Sequence, residues 1–112
     1  MTIEERRVGD VAMLDIKGRF VLGEADEMLK LRADDLVRRG VTSVILNLEG
    51  VPYIDSVGLA EIVRAYTTLT RHGGTLKLVG LTERVRNLFT ITKLVSVFEI
   101  HDTEARAVQS FG

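Results

Sequence analysis

The residues best suited to chemistry lie together in one ten-residue stretch, V-P-Y-I-D-S-V-G-L-A, which runs from Val51 to Ala60. Asp55 and Ser56 are both helix-capping residue types, and apolar residues with helical spacing follow them. A cap at this point would accept a hydrogen bond from an otherwise unpaired backbone N–H. Capping alone therefore explains why both residues are present.

Capping does not explain Gly58. Inside the first helical turn Gly costs about 1 kcal/mol relative to Ala. Its presence indicates that something approaches the backbone closely at this point. Tyr53, just upstream, adds an aromatic side chain that we expect to be partly exposed. The stretch is therefore the candidate contact site of the chain.

One possible role for Ser56 is that of a hydrolase nucleophile. A serine without a neighbouring base is a poor nucleophile, and the two histidines of the chain are His72 and His101. The nucleophile elbow G-x-S-x-G also requires Gly where this chain has Ile54. Both facts weigh against catalysis by Ser56.

A second possible role for Ser56 is that of a phosphate acceptor. A helix N-terminus presents free N–H groups and a partial positive charge, both of which favour a phosphate. Phosphorylation would add roughly −1.5 to −2 charges beside Asp55 without breaking the helix. The fold would survive while a docking surface changed its charge, as a reversible binding switch requires.

Metal and nucleotide chemistry find no support in the sequence. There is no Cys, no G-x-x-x-x-G-K-[ST] loop and no G-x-G-x-x-G loop. Neither His72 nor His101 has a partner at a metal-site spacing, so we expect both to be solvated residues at element ends. We therefore expect no metal site and no cofactor.

Length and composition restrict the function further. The 112 residues fit one domain, 1–112, and the net charge of −1 argues against binding to nucleic acid. The arginine pairs Arg6-Arg7, Arg38-Arg39 and Arg84-x-Arg86 have acids nearby and indicate solvated faces. No apolar run approaches the roughly 18 residues of a membrane span, and the charged start does not resemble a secretory signal. We expect a cytoplasmic protein without membrane contact.

The elements that must position the stretch alternate along the chain. Turn signals and hydrophobic periods predict two opening strands, then helices and strands in alternation. The predicted strands are Ile3–Arg7, Val11–Lys17, Ser43–Leu48, Thr75–Val79 and Val97–Ile100. The predicted helices are Glu24–Arg39 (stopped by Gly40), Ser56–His72, one capped by Thr82, and one capped by Asp102 or Thr103 that ends at Gln109.

This order predicts an α/β fold with a mostly parallel sheet and an antiparallel piece from the opening hairpin. Alternation in the second strand indicates one more buried face, formed by Ala12, Leu14 and Ile16. The apolar stripe of the first helix is Ala25, Leu29, Ala33, Leu36 and Val37, away from which Leu31 points. The buried side of the second helix is predicted as Leu59, Ile62, Val63, Tyr66 and Leu69.

The stretch resembles the motif of the STAS domain, and more narrowly that of stand-alone bacterial anti-sigma factor antagonists. The residues that carry the resemblance are Asp55-Ser56-Val57-Gly58-Leu59, after the strand Val44–Leu48. Gly73-Gly74 before Leu76–Val79, and Val85-x-x-Leu88-Phe89, are similar to the family pattern as well. Family members commonly carry Gly just before the Leu that follows the third helix, where this chain has Lys93.

The resemblance implies a partner-switching protein without catalytic activity. The unmodified antagonist would bind an anti-sigma factor that is also a serine kinase of the histidine-kinase-like type, and so release a sigma factor. The kinase would phosphorylate Ser56 and a PP2C-type phosphatase would reverse this, with ATP and Mg²⁺ belonging to the kinase. The expected partner surface comprises Tyr53, Asp55, Ser56, Val57, Gly58 and Glu61.

Two alternatives remain open at this point. The chain could be a STAS scaffold or signalling subunit that uses the same serine in a sensor complex or a pathway without a sigma factor. The lesser alternative is the serine hydrolase considered above.

Overall fold

The structure is a computed structural model that describes residues 1–23 and 27–112. The strands are β1 (Thr2–Val8), β2 (Val11–Lys17), β3 (Ser43–Gly50), β4 (Thr75–Val79) and β5 (Ile100–His101). The α-helices are α1 (Met28–Arg38), α2 (Ser56–Arg71), α3 (Glu83–Ile91) and α4 (Glu104–Gln109), and a 3₁₀ turn spans Leu94–Ser96. This is the predicted order of elements.

The five strands form one mixed sheet in the order β1-β2-β3-β4-β5. β1 and β2 are an antiparallel hairpin in which Thr2 lies opposite Lys17. The β2–β3, β3–β4 and β4–β5 pairs are all parallel. The predicted α/β class, with an opening hairpin and about four helices, is confirmed.

The sheet has two covered faces of unequal size. Alternate residues of β2, β3 and β4 pack against α1, α2 and α3 in the main core, as Leu14, Leu46 and Leu78 do. The intervening residues, such as Met13 and Ile45, pack against the short helix α4 on the other face. β2 is thus partly covered on both sides. The predicted more buried face is confirmed, because Ala12, Leu14 and Ile16 are all buried, whereas the other face also carries half-buried Asp15 and exposed Lys17.

Polar contacts fasten the α4 face. The Nζ of the buried Lys77 lies 2.8 Å from Ser110 Oγ and 2.9 Å from Glu99 Oε2, with the Phe111 ring 4.1 Å away. Hydrogen bonds from His101 and Lys77 lower the pKa of Glu99 to about 2. His101 is therefore paired with Glu99 rather than simply solvated.

The predicted solvated faces at the arginine pairs are confirmed, because all of these arginines except half-buried Arg86 are exposed, and several of them also form ion pairs. Arg6 pairs with Asp15 through Nε and with Glu104 through Nη2, at 2.5 and 2.6 Å, and so links the opening hairpin to α4. Arg39 pairs with Glu5 at 2.5 Å. These ion pairs join separate elements, because the paired acids lie 9 to 98 positions away from the arginines along the sequence.

The last strand is shorter than predicted, with Ile100–His101 in place of Val97–Ile100. The turn at Leu94–Ser96 directs Phe98 into the core and leaves Val97 exposed. The Phe98 ring contacts Tyr66 and Phe89 edge-on, with centroid distances of 5.0 and 5.7 Å. Burial of this aromatic ring takes precedence over continuation of the strand.

The first helix begins at Met28, whereas the prediction began it at Glu24. Glu24, Ala25 and Asp26 lie outside the described residues, so that part of the prediction stays a prediction. Within the described helix the predicted stripe is confirmed, because Leu29, Ala33 and Leu36 are buried and Val37 packs against the core. Leu31 is exposed, and Gly40 has the left-handed φ of 75° that ends the helix.

Lys93 takes the left-handed conformation that Gly adopts more easily, with φ of 62°. It follows α3 at the position where the resemblance above places Gly. A non-Gly residue in this conformation costs roughly 1–2 kcal/mol. The departure from the family pattern therefore changes the local strain and not the path of the chain.

The predicted buried side of α2 is confirmed at Ile62 and Leu69, and it extends to residues that the prediction did not include. Gly58, Glu61, Ile62, Ala65 and Leu69 are buried. The predicted Leu59, Val63 and Tyr66 are only partly buried against the core. No helix in the described part of the chain is long and apolar enough to cross a membrane.

Candidate functional site

Asp55 is the cap of α2, and Ser56 is the first residue of the helix. Asp55 has the extended backbone typical of an N-cap, with φ of −96° and ψ of −175°. Its Oδ1 accepts hydrogen bonds from the N–H groups of Val57 and Gly58 at 3.0 and 2.9 Å. The capping role, which the sequence left open between two residues, thus belongs to Asp55.

The same carboxylate ties two loops together. Asp55 Oδ2 accepts a hydrogen bond from the Leu22 N–H at 3.0 Å. Phe20 donates its N–H to the Tyr53 carbonyl at 3.0 Å, and Asp55 donates its own N–H to the Phe20 carbonyl at 3.3 Å. The loop after β2 is therefore held against the loop before α2. Sequence reasoning missed Phe20 and Leu22, because contacts between distant loops leave no periodic signal.

The hydrogen bonds from the N–H groups of Gly58 and Leu22 hold the pKa of Asp55 below its usual range. A carboxyl with a lowered native pKa adds stability above its unfolded pKa, and loses it as the pH falls through the native value. Asp55→Asn keeps an amide cap but removes the charge. We therefore expect the parent protein to have a higher free energy of unfolding than Asp55→Asn at pH 7. The difference in free energy between the two proteins, called the gap below, should narrow as the pH falls below about 4.

Urea unfolding of both proteins at pH 7 and pH 3 measures this gap. All other carboxyls titrate equally in the two proteins, so the difference between them isolates Asp55. An equal gap at the two pH values would contradict the prediction.

The exposed part of the site is formed by Ser56 and its neighbours. Ser56 is exposed, whereas Tyr53 and Val57 are half-buried. Two cations flank the Tyr53 ring: Arg84 Cζ lies 5.0 Å and Arg19 Cζ lies 6.0 Å from its centroid. The sequence did not predict that either arginine contacts Tyr53, because each reaches the ring from a different element.

Gly58 does not lie on this surface. It is buried, and a Cβ built on it would overlap the Phe20 carbonyl oxygen and lie 2.8 Å from Phe20 Cδ1. The predicted close approach is therefore present, but it comes from the chain's own Phe20. The inclusion of Gly58 among the partner contacts is corrected, because its role in this structure is internal packing.

Glu61 is likewise buried, with 7% of its surface exposed. Its Oε1 lies 3.2 Å from Arg64 Nη1, and its Oε2 has no hydrogen-bond partner among the described residues. The inclusion of Glu61 in an exposed contact surface is therefore corrected as well. Four of the six predicted contact residues keep accessible surface, namely Tyr53, Asp55, Ser56 and Val57.

In the part of the chain that the structure describes, neither histidine is placed to serve Ser56 as a base. His72 follows the last residue of α2, about 24 Å from Ser56 at 1.5 Å per residue. Its Nδ1 lies 2.8 Å from the Thr68 carbonyl oxygen, and His101 is paired with Glu99 on β5. The described residues contain no cluster of three metal-ligating side chains. The geometry thus gives the hydrolase alternative no support.

The fold is that of a STAS domain. The STAS domain model matches residues 2–107, so the chain belongs to the STAS-domain family. A crystal structure from Thermotoga maritima, described as that of an anti-sigma factor antagonist, superposes with a TM-score of 0.89 at 27% identity. The match covers 96% of this chain and 92% of that one.

Relatives of similar length place the chain among the anti-sigma factor antagonists of that family. The anti-sigma-B factor antagonist of Listeria monocytogenes is 34% identical, over 91% of this chain and 88% of its own. The anti-sigma F factor antagonist of Paenibacillus polymyxa is 26% identical, over 77% and 78% of the two chains. These relatives are regulatory proteins, which confirms the expectation that the chain is not an enzyme.

Proposed function

We propose that residues 1–112 form a single STAS domain that acts as an anti-sigma factor antagonist by partner switching. In this proposal the unmodified protein binds an anti-sigma factor with histidine-kinase-like serine kinase activity and so releases a sigma factor. Phosphorylation of Ser56 ends that binding, and a PP2C-type phosphatase restores it. The kinase requires ATP, so the proposed site of action is the cytoplasm.

One observation carries the proposal: Ser56 is exposed at the start of α2 while Asp55 turns inward and caps the helix. The two residues therefore have separate roles. Asp55 holds the local structure, and the Ser56 hydroxyl is available for modification without loss of the cap. A phosphate there adds charge to the surface while the helix keeps its hydrogen bonds.

Phosphorylation by purified serine kinases of this type from the source organism tests the proposal. With ATP and Mg²⁺ we expect one main phosphate, on Ser56, because this hydroxyl is exposed at a helix N-terminus. Thr67 and Thr90 serve as internal controls, since each hydroxyl already donates to the backbone carbonyl four residues earlier at 3.0 Å. Phosphopeptide mapping locates the site.

Ser56→Ala should abolish the main phosphorylation, and a PP2C-type phosphatase should remove the phosphate from the parent. A main phosphate on Thr67, Thr68 or Thr90 would refute the assignment. If no kinase of this type modified or bound the chain, the partner-switching proposal would fail as a whole.

A further inference from the structure

A shallow groove of about 240 Å³ lies beside Tyr53, between the loop that precedes α2 and the helix α3. Its described lining is largely apolar, with Ile54, Val85 and Leu88 among its walls. Ile91 forms one end and is 78% exposed. A large apolar side chain with this exposure at the edge of a groove is a typical anchor for a partner.

The charge at the groove is positive. Arg84 is the one charged side chain among the described lining residues. Arg84 and Arg19 stack on Tyr53 and have no ion-pair partner among residues 1–23 and 27–112, whereas Arg6, Arg39 and Arg86 each pair with a carboxylate. An arginine held by an aromatic ring but not by an acid is available to a carboxylate on another molecule.

We propose that this groove binds a segment of the anti-sigma factor in which an apolar side chain is flanked by carboxylates. The inference rests on the proposed function and extends its contact surface to α3. The apolar side chain packs against Ile91 and Leu88, and the carboxylates pair with Arg84. Charge complementarity selects an acidic segment over a basic one.

The groove and the proposed phosphorylation site share one segment of the chain, because Tyr53 and Ile54 line the groove and Ser56 follows Ile54 by two residues. A phosphate on Ser56 would bring roughly −1.5 to −2 charges to the edge of a surface that selects acidic groups. It would repel the partner's carboxylates and attract the same arginines. The location of the groove thus gives a physical reason for phosphorylation to oppose binding.

Two substitutions test the groove against matched controls on α1. Ile91→Asp removes the anchor, and its control is Leu31→Asp, since Leu31 is 60% exposed. Arg84→Gln removes the charge, and its control is Arg38→Gln, whose arginine is 73% exposed. Binding is titrated with the kinase that phosphorylates the parent protein, and a thermal melt of each variant checks its fold.

We expect Ile91→Asp to weaken binding at least about tenfold and Arg84→Gln at least about threefold, with both controls within about twofold of the parent. Raised salt should weaken kinase binding by the parent protein more than kinase binding by Arg84→Gln. Normal binding by folded Ile91→Asp and Arg84→Gln, together with loss of binding by Ser56→Asp, would overturn this inference and leave the proposed function standing.

A second copy of the chain is the competing occupant. Sedimentation of the parent and of Ile91→Asp distinguishes it. A parent dimer that Ile91→Asp converts to monomer, without any change in kinase binding, would overturn the inference. If no kinase bound the parent at all, the proposed function would fail, and this inference would fail with it.

Discussion

Protein phosphorylated on Ser56 is expected to bind its anti-sigma factor at least about tenfold more weakly than unmodified protein, while its melting temperature stays nearly the same. The helix N-terminus can accommodate the phosphate at a gain of about 0.3–1 kcal/mol. In a docked interface the same group meets the partner's acids, where like charges cost several kcal/mol. Each 1.4 kcal/mol is tenfold in affinity, so the loss appears in binding and not in folding.

The hydrogen bonds at Asp55 strengthen this expectation. The N–H groups of Val57 and Gly58 already donate hydrogen bonds to the Asp55 carboxylate. A phosphate on Ser56 would therefore be stabilised by the helix dipole and not by new hydrogen bonds from these two groups. Phosphorylation of Ser56 therefore gives no driving force for the loop to change its conformation. Phosphorylation should therefore change the surface charge and leave the backbone where it is.

Titration calorimetry with the kinase partner compares phosphorylated, unmodified, Ser56→Asp and Ser56→Ala proteins. Ser56→Asp carries a single charge and should weaken binding partially in the same direction. Ser56→Ala should fold, resist phosphorylation and bind constitutively, since Asp55 supplies the cap. Equal affinity of phosphorylated and unmodified protein would refute the switch while leaving the fold assignment intact.

Gly58→Ala is expected to lower the free energy of unfolding by about 3 kcal/mol or more. Helix propensity alone predicts the opposite sign, because Ala is favoured over Gly by about 0.8–1.0 kcal/mol inside a helix. The new Cβ would overlap the carbonyl oxygen of Phe20. The backbone of Phe20 is also hydrogen-bonded to Asp55 and Tyr53. Because the clash is with backbone atoms, no flexible side chain can move to relieve it. The strain therefore outweighs the gain in helix propensity.

Gly73→Ala is the matched control for Gly58→Ala. Gly73 has nothing within 4 Å of the added Cβ but has φ of 78°, so its substitution carries backbone strain without a steric clash. That strain is worth roughly 1–2 kcal/mol. Urea unfolding should therefore give Gly58→Ala a lower free energy of unfolding than Gly73→Ala. A Gly58→Ala protein as stable as the parent would show that the two loops are not packed as described.

This result bears on the partner surface. A larger side chain at this position, as in Gly58→Leu, would displace Phe20 first. Loss of partner binding by such a variant would therefore report on the packing of the two loops. Substitutions at Ile91 and Arg84 separate binding from folding more cleanly, because Ile91 is 78% exposed and Arg84 is exposed as well.

Periodic patterns predicted the fold well. The order of elements, the parallel sheet, the hairpin and the caps at Thr82 and Thr103 follow from local residue types and are all present. The errors arise where long-range packing decides the outcome. Phe98 is buried between rings that the sequence does not place together, and β5 is shortened as a result.

The candidate site was predictable only in part. Adjacent residue types located the start of α2 and the pair Asp55 and Ser56. The direction of the Asp55 carboxylate depends on Leu22, which lies on another loop. The burial of Gly58 and Glu61 beside the predicted stripe of α2 is also set by tertiary contacts, which amphipathic spacing alone does not reveal.

The short cover on the second sheet face implies an uneven distribution of stability. The six-residue helix α4 and the following Phe111 cover Met13, Ile45 and Val79 on that side, and polar contacts of Lys77 and Arg6 hold this segment in place. Such a helix can detach in a local opening that costs less free energy than global unfolding. Amide hydrogens of α4 would then exchange with solvent sooner than those of α2. Because the Ser56 region is built on the opposite face, its geometry persists during these openings.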